Sequence, residues 1–163
     1  MVVEAFEAMR AAAPATKLIM VGDGPERKEL QNRHPRVIFA GTRTGDELAA
    51  HFASADVFLF PSMTETFGNV TLEAMTSGLA VIAFDYAAAQ QYVGHEVSGL
   101  LAPFGDAAAF TRLAAALATD PERIATLRAQ ARTVAERIDW EQVFSDFENV
   151  LVGVMRRQES VHA

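Results

Sequence analysis

Short apolar runs alternate along this chain with segments whose apolar residues recur at helical spacing. Four runs, each about the length of a strand, occupy residues 17–21, 36–40, 56–60 and 79–84. Continuous apolar runs of this length are typical of parallel strands that are buried on both faces. A fifth short strand is expected at residues 98–103, so the pattern predicts a parallel sheet.

Helical segments are expected between these strands, at residues 25–31, 46–53 and 69–77. Pro25 suits a first helical position, and the residues from Thr44 to Glu47 fit a capping box. Because strands and helices alternate, we expect an α/β fold with a doubly wound parallel sheet flanked by helices.

The two ends of the chain add further helices. Residues 2–13 have a helical pattern where a domain of this kind usually opens with a strand, so we expect the chain to begin within the fold. From Asp106 onward the sequence is helical, with further helix starts expected at Asp120 and at Asp139–Trp140. The last helix carries an apolar stripe that we expect to pack within the protein or against another domain: Val143, Phe147, Val150, Leu151 and Val154.

Composition narrows the class of protein. The 163 residues are 50% hydrophobic, which fits a single globular domain spanning residues 1–163. A net charge of −7 leaves no broad basic surface for nucleic acid. The absence of cysteine excludes disulfides and thiolate sites, and neither a signal peptide nor a membrane-spanning stretch is evident. We therefore expect a cytoplasmic protein, with peripheral membrane attachment of a longer enzyme as an alternative.

Residues 65–73 carry the candidate chemistry. They place Glu65 in a loop after an apolar strand and Glu73 inside the following helix, with a loop of small residues between them. Amide groups at a helix N-terminus bind negatively charged groups such as a diphosphate, and carboxylates accept hydrogen bonds from sugar hydroxyls. The segment therefore predicts a nucleotide-sugar site. Paired acids also occur in glycosidases, but a phosphate-binding loop suits a charged leaving group better.

Several short sequence motifs occur in a fixed order along the chain. Together they resemble the motifs of the C-terminal domain of family-four retaining glycosyltransferases of the GT-B fold. They are residues 21–25 (Val-Gly-Asp-Gly-Pro), 37–41, 55–62, the Glu65 and Glu73 pair, and 99–101. The resemblance covers nearly the whole chain. It implies a Rossmann-like domain that binds the nucleotide-sugar donor, with an N-terminal acceptor domain and the first strand of this domain lying upstream of Met1.

The resemblance also assigns roles to residues of the 65–73 segment. It implies that Glu65 bonds hydroxyls of the donor hexose and acts in catalysis, and that Glu73 accepts from both ribose hydroxyls. The intervening residues would reach the sugar and diphosphate through backbone amides: Thr66, Phe67, Gly68, Asn69, Val70 and Thr71. In the same way Gly22 and Gly24 form a turn close to the nucleotide, and Gly41 to Arg43 lie near the base.

The implied reaction moves a hexose, such as mannose from GDP-mannose, to an acceptor hydroxyl with retention of configuration. The resemblance implies no cofactor and no metal, and the four histidines lack metal-site spacing. In the family an Arg and a Lys that stabilise the leaving diphosphate follow the upstream strand. We therefore expect this chain alone to bind nucleotide weakly and not to catalyse transfer of the sugar.

The sequence leaves open two alternative functions and the role of one loop that differs from the family pattern. A sugar-nucleotide epimerase of the same fold also binds a nucleotide sugar, and the residues do not exclude it. A receiver-like signalling domain fits poorly, because no lysine follows Lys28. The loop at residues 85–91 lacks the paired glycines and glutamate of many relatives, so its contacts are undefined. The base, the sugar, the acceptor and the oligomeric state are not determined by the sequence.

Overall fold

The computed structural model describes residues 1–66, 68–138, 144, 145, 147–150 and 152. Helices and strands alternate as predicted, in the order α1 (Val2–Ala12), β1 (Ile19–Val21), α2 (Arg27–Arg33), β2 (Ile38–Gly41), α3 (Gly45–Ala53), β3 (Val57–Phe60), α4 (Asn69–Thr76), β4 (Ala80–Phe84), α5 (Ala87–Tyr92), β5 (Gly99–Ala102), α6 (Ala107–Ala118) and α7 (Pro121–Ala135). The α/β class with parallel strands is confirmed.

Every strand pair is parallel. β4 lies between β3 and β5, with Phe58 opposite Val81 and Ile82 opposite Leu100. β1 pairs with β2 alone, so the described strands form two sheets, one of three strands and one of two. The single continuous sheet expected from the sequence is therefore interrupted between β1 and β3.

The core is centred on β4, all five residues of which are buried. Because side chains alternate between the two faces of a strand, Ile82 and Phe84 pack with α1, α6 and Leu127 of α7, while Val81 and Ala83 pack with α4, α5 and the C-terminal half of α7. Helices therefore cover both faces of this sheet, which is the doubly wound arrangement.

The strands of the smaller sheet are less buried than their sequences predict. Ile19 and Val21 of β1 are 45% and 39% exposed, and Ile38 of β2 is 48% exposed. The expectation that all four apolar runs are buried on both faces is therefore correct for β4 and wrong for β1 and β2, while β3 is half-buried throughout. Among the described strands, β1 and β2 pair only with each other, so both are edge strands.

Capping chemistry sets the starts of the two long C-terminal helices. The Asp106 carboxylate accepts from the Ala109 amide at 2.8 Å, and the Asp120 carboxylate accepts from the Arg123 amide at 2.8 Å. Each side chain satisfies one backbone donor that a helix start otherwise leaves unpaired. The predicted helix start at Asp120 is thus confirmed.

Two other predictions about helix starts differ from the structure: the position of Pro25 and the capping bond of Thr44. Pro25 lies in a turn, and α2 begins two residues later at Arg27. Thr44 occupies the N-cap position of α3, but its side chain makes no capping bond, and Glu47 instead lies 3.5 Å from the Arg43 guanidinium. The helix therefore starts where the sequence predicts, without the expected capping box.

The C-terminal stripe is only partly described. Phe147 and Val150 are helical and 61% and 63% exposed, so they do not pack within the described part of the chain. Packing against another domain stays a prediction. Val143, Leu151 and Val154, and the helix start at Asp139–Trp140, lie outside the described residues. No helix in the described part of the chain is long and apolar enough to cross a bilayer.

Candidate functional site

The loop after β3 places the first carboxylate of the predicted pair. Ser62, two residues beyond the strand, donates its hydroxyl to Glu65 Oε1 at 2.5 Å, and Glu65 is half-buried. A short hydrogen bond to a carboxylate is a charge-assisted contact that fixes the position of the acid. The sequence analysis did not include Ser62 in the site. Its spacing of three residues before Glu65 was the available signal.

Gly68 brings this loop close to the segment after β4. It is buried at the N-cap of α4 with φ +93°, a conformation that favours glycine. A Cβ at Gly68 would lie 3.1 Å from the Cβ of Ala88 and 3.6 Å from Glu65 Oε2. The lack of a side chain at this position therefore lets Glu65 and α5 approach the start of α4.

Thr71 supplies an unpaired hydroxyl at the same place. Its side chain is 1% exposed, and its Oγ1 has no hydrogen-bond partner in the described part of the protein. The Thr71 amide already donates to the Gly68 carbonyl at 2.9 Å. The group left to meet a ligand is thus the Thr71 hydroxyl, which differs from the expectation that its amide is free.

These groups line one small cleft. Ser62, Glu65, Gly68 and Thr71 line it together with residues 86–89, and the space left between these groups is about 10 Å³, which is about the room that one water molecule needs. The cleft lies beyond the carboxyl ends of β3 and β4, which is where open parallel sheets bind their ligands. Glu65, Gly68 and Thr71, which the sequence analysis included in the site, are therefore brought together by the fold.

The segment after β4 is a helix, not the loop predicted at residues 85–91. α5 begins at Ala87, whose φ of +49° lies in the left-handed region, while Tyr86 packs against Phe104 with ring centroids 4.9 Å apart. The missing glycines explain the failure of the prediction, because a run of alanines favours helix where glycines favour a loop.

The left-handed Ala87 leads to a stability prediction. Replacing Ala87 with glycine is expected to raise the free energy of unfolding by about 0.5–1 kcal/mol, because glycine adopts positive φ without the Cβ penalty. Chemical denaturation followed by circular dichroism measures the change. Ala88→Gly is the matched control, since Ala88 is 2% exposed, is not among the positive-φ residues and loses packing when truncated. Equal destabilisation by both substitutions would contradict the strain at Ala87.

The second carboxylate of the pair lies outside this cleft. Glu73 is exposed on α4 and forms no hydrogen bond or ion pair with the described residues, and Asn69 and Thr66 are exposed too. Along a helix Glu73 shares a face with Asn69, while Thr71 faces the core with Ala74 and Met75. Val70 is half-buried at the start of α4, and Phe67 lies outside the described residues.

The remaining predicted residues form a separate group at the ends of β1 and β2. The Gly22 amide donates to the Gly41 carbonyl at 2.8 Å, which joins the two loops. Gly22 and Gly24 line an open cleft beside α2, and a Cβ at Gly41 would lie 3.3 Å from the Arg27 guanidinium. Arg43 is held by Glu47 and does not line either cleft.

Electrostatics in this second group centre on Asp23, which the sequence analysis did not single out. Its carboxylate accepts from the Gly24 amide at 2.8 Å and from Arg27 at 3.0 Å. Both hydrogen bonds lower the pKa of Asp23 from its ordinary value, and the bond from the Gly24 amide has the larger effect. Asp23 thereby fixes both the glycine turn and the Arg27 side chain. Within the described residues, no cluster of His, Asp and Glu could hold a metal ion.

Comparison with known proteins gives a consistent picture. Residues 1–120 match the family model described as Glycosyl transferases group 1. The chain is 44% identical over 96 residues to the GDP-mannose-dependent alpha-mannosyltransferase of Mycobacterium tuberculosis, covering 59% of this chain and 25% of that protein. It is 33% identical over 162 residues to the N-acetyl-alpha-D-glucosaminyl L-malate synthase of Bacillus anthracis, covering 95% and 42%.

Among solved structures, the chain is similar to HepE of Anabaena in complex with UDP and glucose. The TM-score is 0.74 at 26% identity, covering 93% of this chain and 44% of that one. The chain thus spans between about a quarter and less than half of the length of these proteins.

Proposed function

Since this chain belongs to the group 1 family of glycosyl transferases, we propose that it forms the donor-binding half of a retaining glycosyltransferase. In this proposal the sugar and diphosphate of a nucleoside-diphosphate sugar bind at the mouth of the cleft beside α4. The single observation that carries it is the buried, unpartnered Thr71 hydroxyl lining the same cleft as Glu65. A buried polar group without a partner costs free energy, and a ligand that pairs with it recovers that cost.

The chemistry of the cleft suits a phosphorylated sugar. The N-terminal end of α4 favours negative charge through the helix dipole, and the Thr71 hydroxyl donates a hydrogen bond beside it. Glu65, fixed by Ser62, offers a second oxygen to sugar hydroxyls. During transfer, charge develops on the departing diphosphate, so groups positioned there stabilise the transition state more than the ground state.

The size of the cleft and the length of the relatives support a site that this chain supplies only in part. The cleft leaves about 10 Å³, far less than the roughly 300–1,000 Å³ of typical ligand pockets, and the chain spans 25% of the mannosyltransferase that it resembles. We infer that an N-terminal acceptor domain, together with an upstream segment, closes the remaining walls in the full-length enzyme. The isolated chain then binds nucleotide weakly and does not transfer sugar.

For the donor itself we propose GDP-mannose. The support is the 44% identity to a protein described as GDP-mannose-dependent, within the part of the chain that aligns. HepE, at 26% identity, was solved with UDP, so UDP-sugars form the alternative. Calorimetric titration with GDP, UDP, ADP and their sugars distinguishes between these two classes of donor. Tighter binding of UDP-glucose than of GDP-mannose would overturn the choice of donor.

The Thr71→Val substitution tests the site directly, because stability and binding should move in opposite directions. Valine keeps the shape and removes the unpaired hydroxyl, so the free energy of unfolding should rise by about 1 kcal/mol. The affinity for nucleoside diphosphate should fall about tenfold through loss of a hydrogen bond to a charged group. Denaturation and calorimetry on the same variant measure both.

Thr126→Val serves as the control, since Thr126 donates to the Glu122 carbonyl on exposed α7 and lies outside the cleft. Higher stability of Thr71→Val with unchanged affinity would remove Thr71 from the site. Failure of the unmodified chain to bind any nucleoside diphosphate at millimolar concentration would overturn the donor-binding proposal itself.

A further inference from the structure

Three loops lie side by side at one edge of the larger sheet. The strands that precede them, β3, β4 and β5, are paired in register and end within one residue of one another. Ser62, Tyr86 and Phe104 each lie two residues beyond the end of one of these strands. Because neighbouring strands are about 4.8 Å apart, the fold places Tyr86 and Phe104 in a row beside the loop that carries Glu65.

The ring of Tyr86 is held in place by other aromatic rings. Its centroid lies 4.9 Å from that of Phe104, and the two ring planes are inclined by 45°. Phe104 in turn meets Phe84 edge-on at 6.1 Å, and Phe84 is fully buried in the core. Tilted and edge-to-face pairs at such distances are favourable arrangements of aromatic rings. Tyr86 is therefore connected to the core through Phe104 and needs little further ordering when a ligand packs against it.

Tyr86 and Phe104 are also exposed to solvent, and Met63 extends the same apolar surface. The three side chains are exposed by 37%, 51% and 49%. Met63 Cε lies 4.0 Å from the position of a Cβ on Gly105, so the loop after β3 reaches the loop after β5. Single exposed apolar side chains are common, whereas a contiguous apolar patch marks a binding surface. Since Tyr86 lines the cleft that contains Glu65, the patch adjoins the proposed donor site.

Charge decides which part of a sugar nucleotide suits this patch. The face of an aromatic ring is electronegative, so it repels a diphosphate and attracts the weakly positive C–H groups of a sugar ring. A hexose carries hydroxyls around its rim and C–H groups on its faces, so it fits a carboxylate that lies beside an aromatic ring. Glu65, fixed by Ser62, supplies that carboxylate. The cleft interior leaves only about 10 Å³, so a hexose has to bind at the mouth, where Tyr86 is exposed.

We propose that Tyr86 is a specificity-determining residue that packs against a C–H face of the donor hexose, and that Phe104 is a positioning residue that holds the Tyr86 ring. This inference rests on the proposed function and adds an orientation to it. The diphosphate lies at the N-terminal end of α4, which favours negative charge, and the hexose lies over Tyr86. The orientation does not depend on the base of the nucleotide.

Ligand-observed NMR and calorimetry test this orientation. Bound GDP-mannose should show upfield shifts of mannose C–H protons, because these protons enter the shielding region above an aromatic ring. Tyr86→Ala should abolish the shifts and weaken binding of GDP-mannose about fivefold, while the affinity for GDP changes by less than about twofold. Tyr86→Phe should retain both the shifts and the affinity, since it keeps the ring. The same comparison with UDP-glucose and UDP covers the alternative donor.

Phe104→Ala separates a positioning role from a purely structural one. Without Phe104 the Tyr86 ring is less ordered, so the upfield shifts should become smaller and binding of GDP-mannose about two- to threefold weaker. The affinity for GDP should stay unchanged, which a general loss of structure would not allow. Phe147→Ala is the matched control, because Phe147 is an exposed aromatic side chain that lines neither cleft.

Four outcomes would overturn the inference. Equal weakening of GDP and GDP-mannose binding by Tyr86→Ala would show that Tyr86 supports the whole site and not the hexose. A loss of affinity in Tyr86→Phe as large as in Tyr86→Ala would assign the contact to the hydroxyl. Unchanged shifts and affinity in Tyr86→Ala would leave the patch to an acceptor or to another domain. Failure of the unmodified chain to bind GDP or UDP would overturn the proposed function, and this orientation with it.

Discussion

Replacing Glu73 with alanine is expected to weaken binding of a nucleoside diphosphate by about 5- to 150-fold, which corresponds to about 1–3 kcal/mol. The family resemblance assigns Glu73 to the ribose, whose two neighbouring hydroxyls suit a bidentate carboxylate. In the structure its side chain is exposed and has no partner among the described residues. The substitution should therefore leave the free energy of unfolding nearly unchanged, which makes the binding measurement easy to interpret.

The matched control for this prediction is Glu122→Ala. Glu122 is likewise an exposed helix carboxylate, located in the first turn of α7, away from both clefts. Calorimetry with GDP and UDP on both variants gives the comparison. Unchanged affinity in Glu73→Ala would show that the ribose does not contact Glu73. The Thr71→Val variant would then still decide whether the diphosphate lies beside α4.

Gly99→Ala is expected to destabilise the fold by on the order of 3 kcal/mol. A Cβ at Gly99 would lie 2.6 Å from Val93 Cγ1 and 2.8 Å from the Val81 carbonyl oxygen. Gly99 is paired with Val81 across β4 and β5, so the backbone must separate there to admit a methyl group. Urea denaturation followed by circular dichroism measures the loss.

Gly94→Ala provides the comparison for this second prediction. The nearest atoms to a Cβ at Gly94 are 3.4 Å and 3.6 Å away, so the change should cost no more than about 1 kcal/mol. Adding Val93→Ala to Gly99→Ala should recover only part of the stability, because the Val81 carbonyl still obstructs the new methyl group. Full recovery would show that the Val93 side chain, and not the sheet backbone, sets the cost.

Local signals in the sequence predicted the elements well where short-range chemistry decides them. Asp120 caps α7 as expected, because its carboxylate and the Arg123 amide are three residues apart and need no other part of the fold. Thr44 is the N-cap of α3 as predicted, but its side chain makes no capping bond, and Glu47 lies 3.5 Å from Arg43 instead. The helix at Ala87 was missed because its residues were compared with relatives that carry glycine there.

The functional cleft was predictable only in part. Glu65 and Gly68 belong to one short motif, so the sequence could place them together. Thr71 was included through its backbone amide and not its hydroxyl, and Ser62 was not included, since a serine after a strand is common for reasons unrelated to function. Their roles in the structure depend on the short bond to Glu65 and on complete burial, neither of which is visible in the residue type.

The sequence by itself determined the parallel α/β class, the order of its elements apart from α5, and the family motif around Glu65, because these depend on periodicity and on residues close together in the chain. Tertiary structure alone decided that, among the described residues, the buried Thr71 hydroxyl has no partner, that Glu73 does not line the cleft, and that β1 and β3 share no neighbouring strand. The physical reason is that burial and pairing arise between segments distant in the chain, where no local pattern records which groups meet.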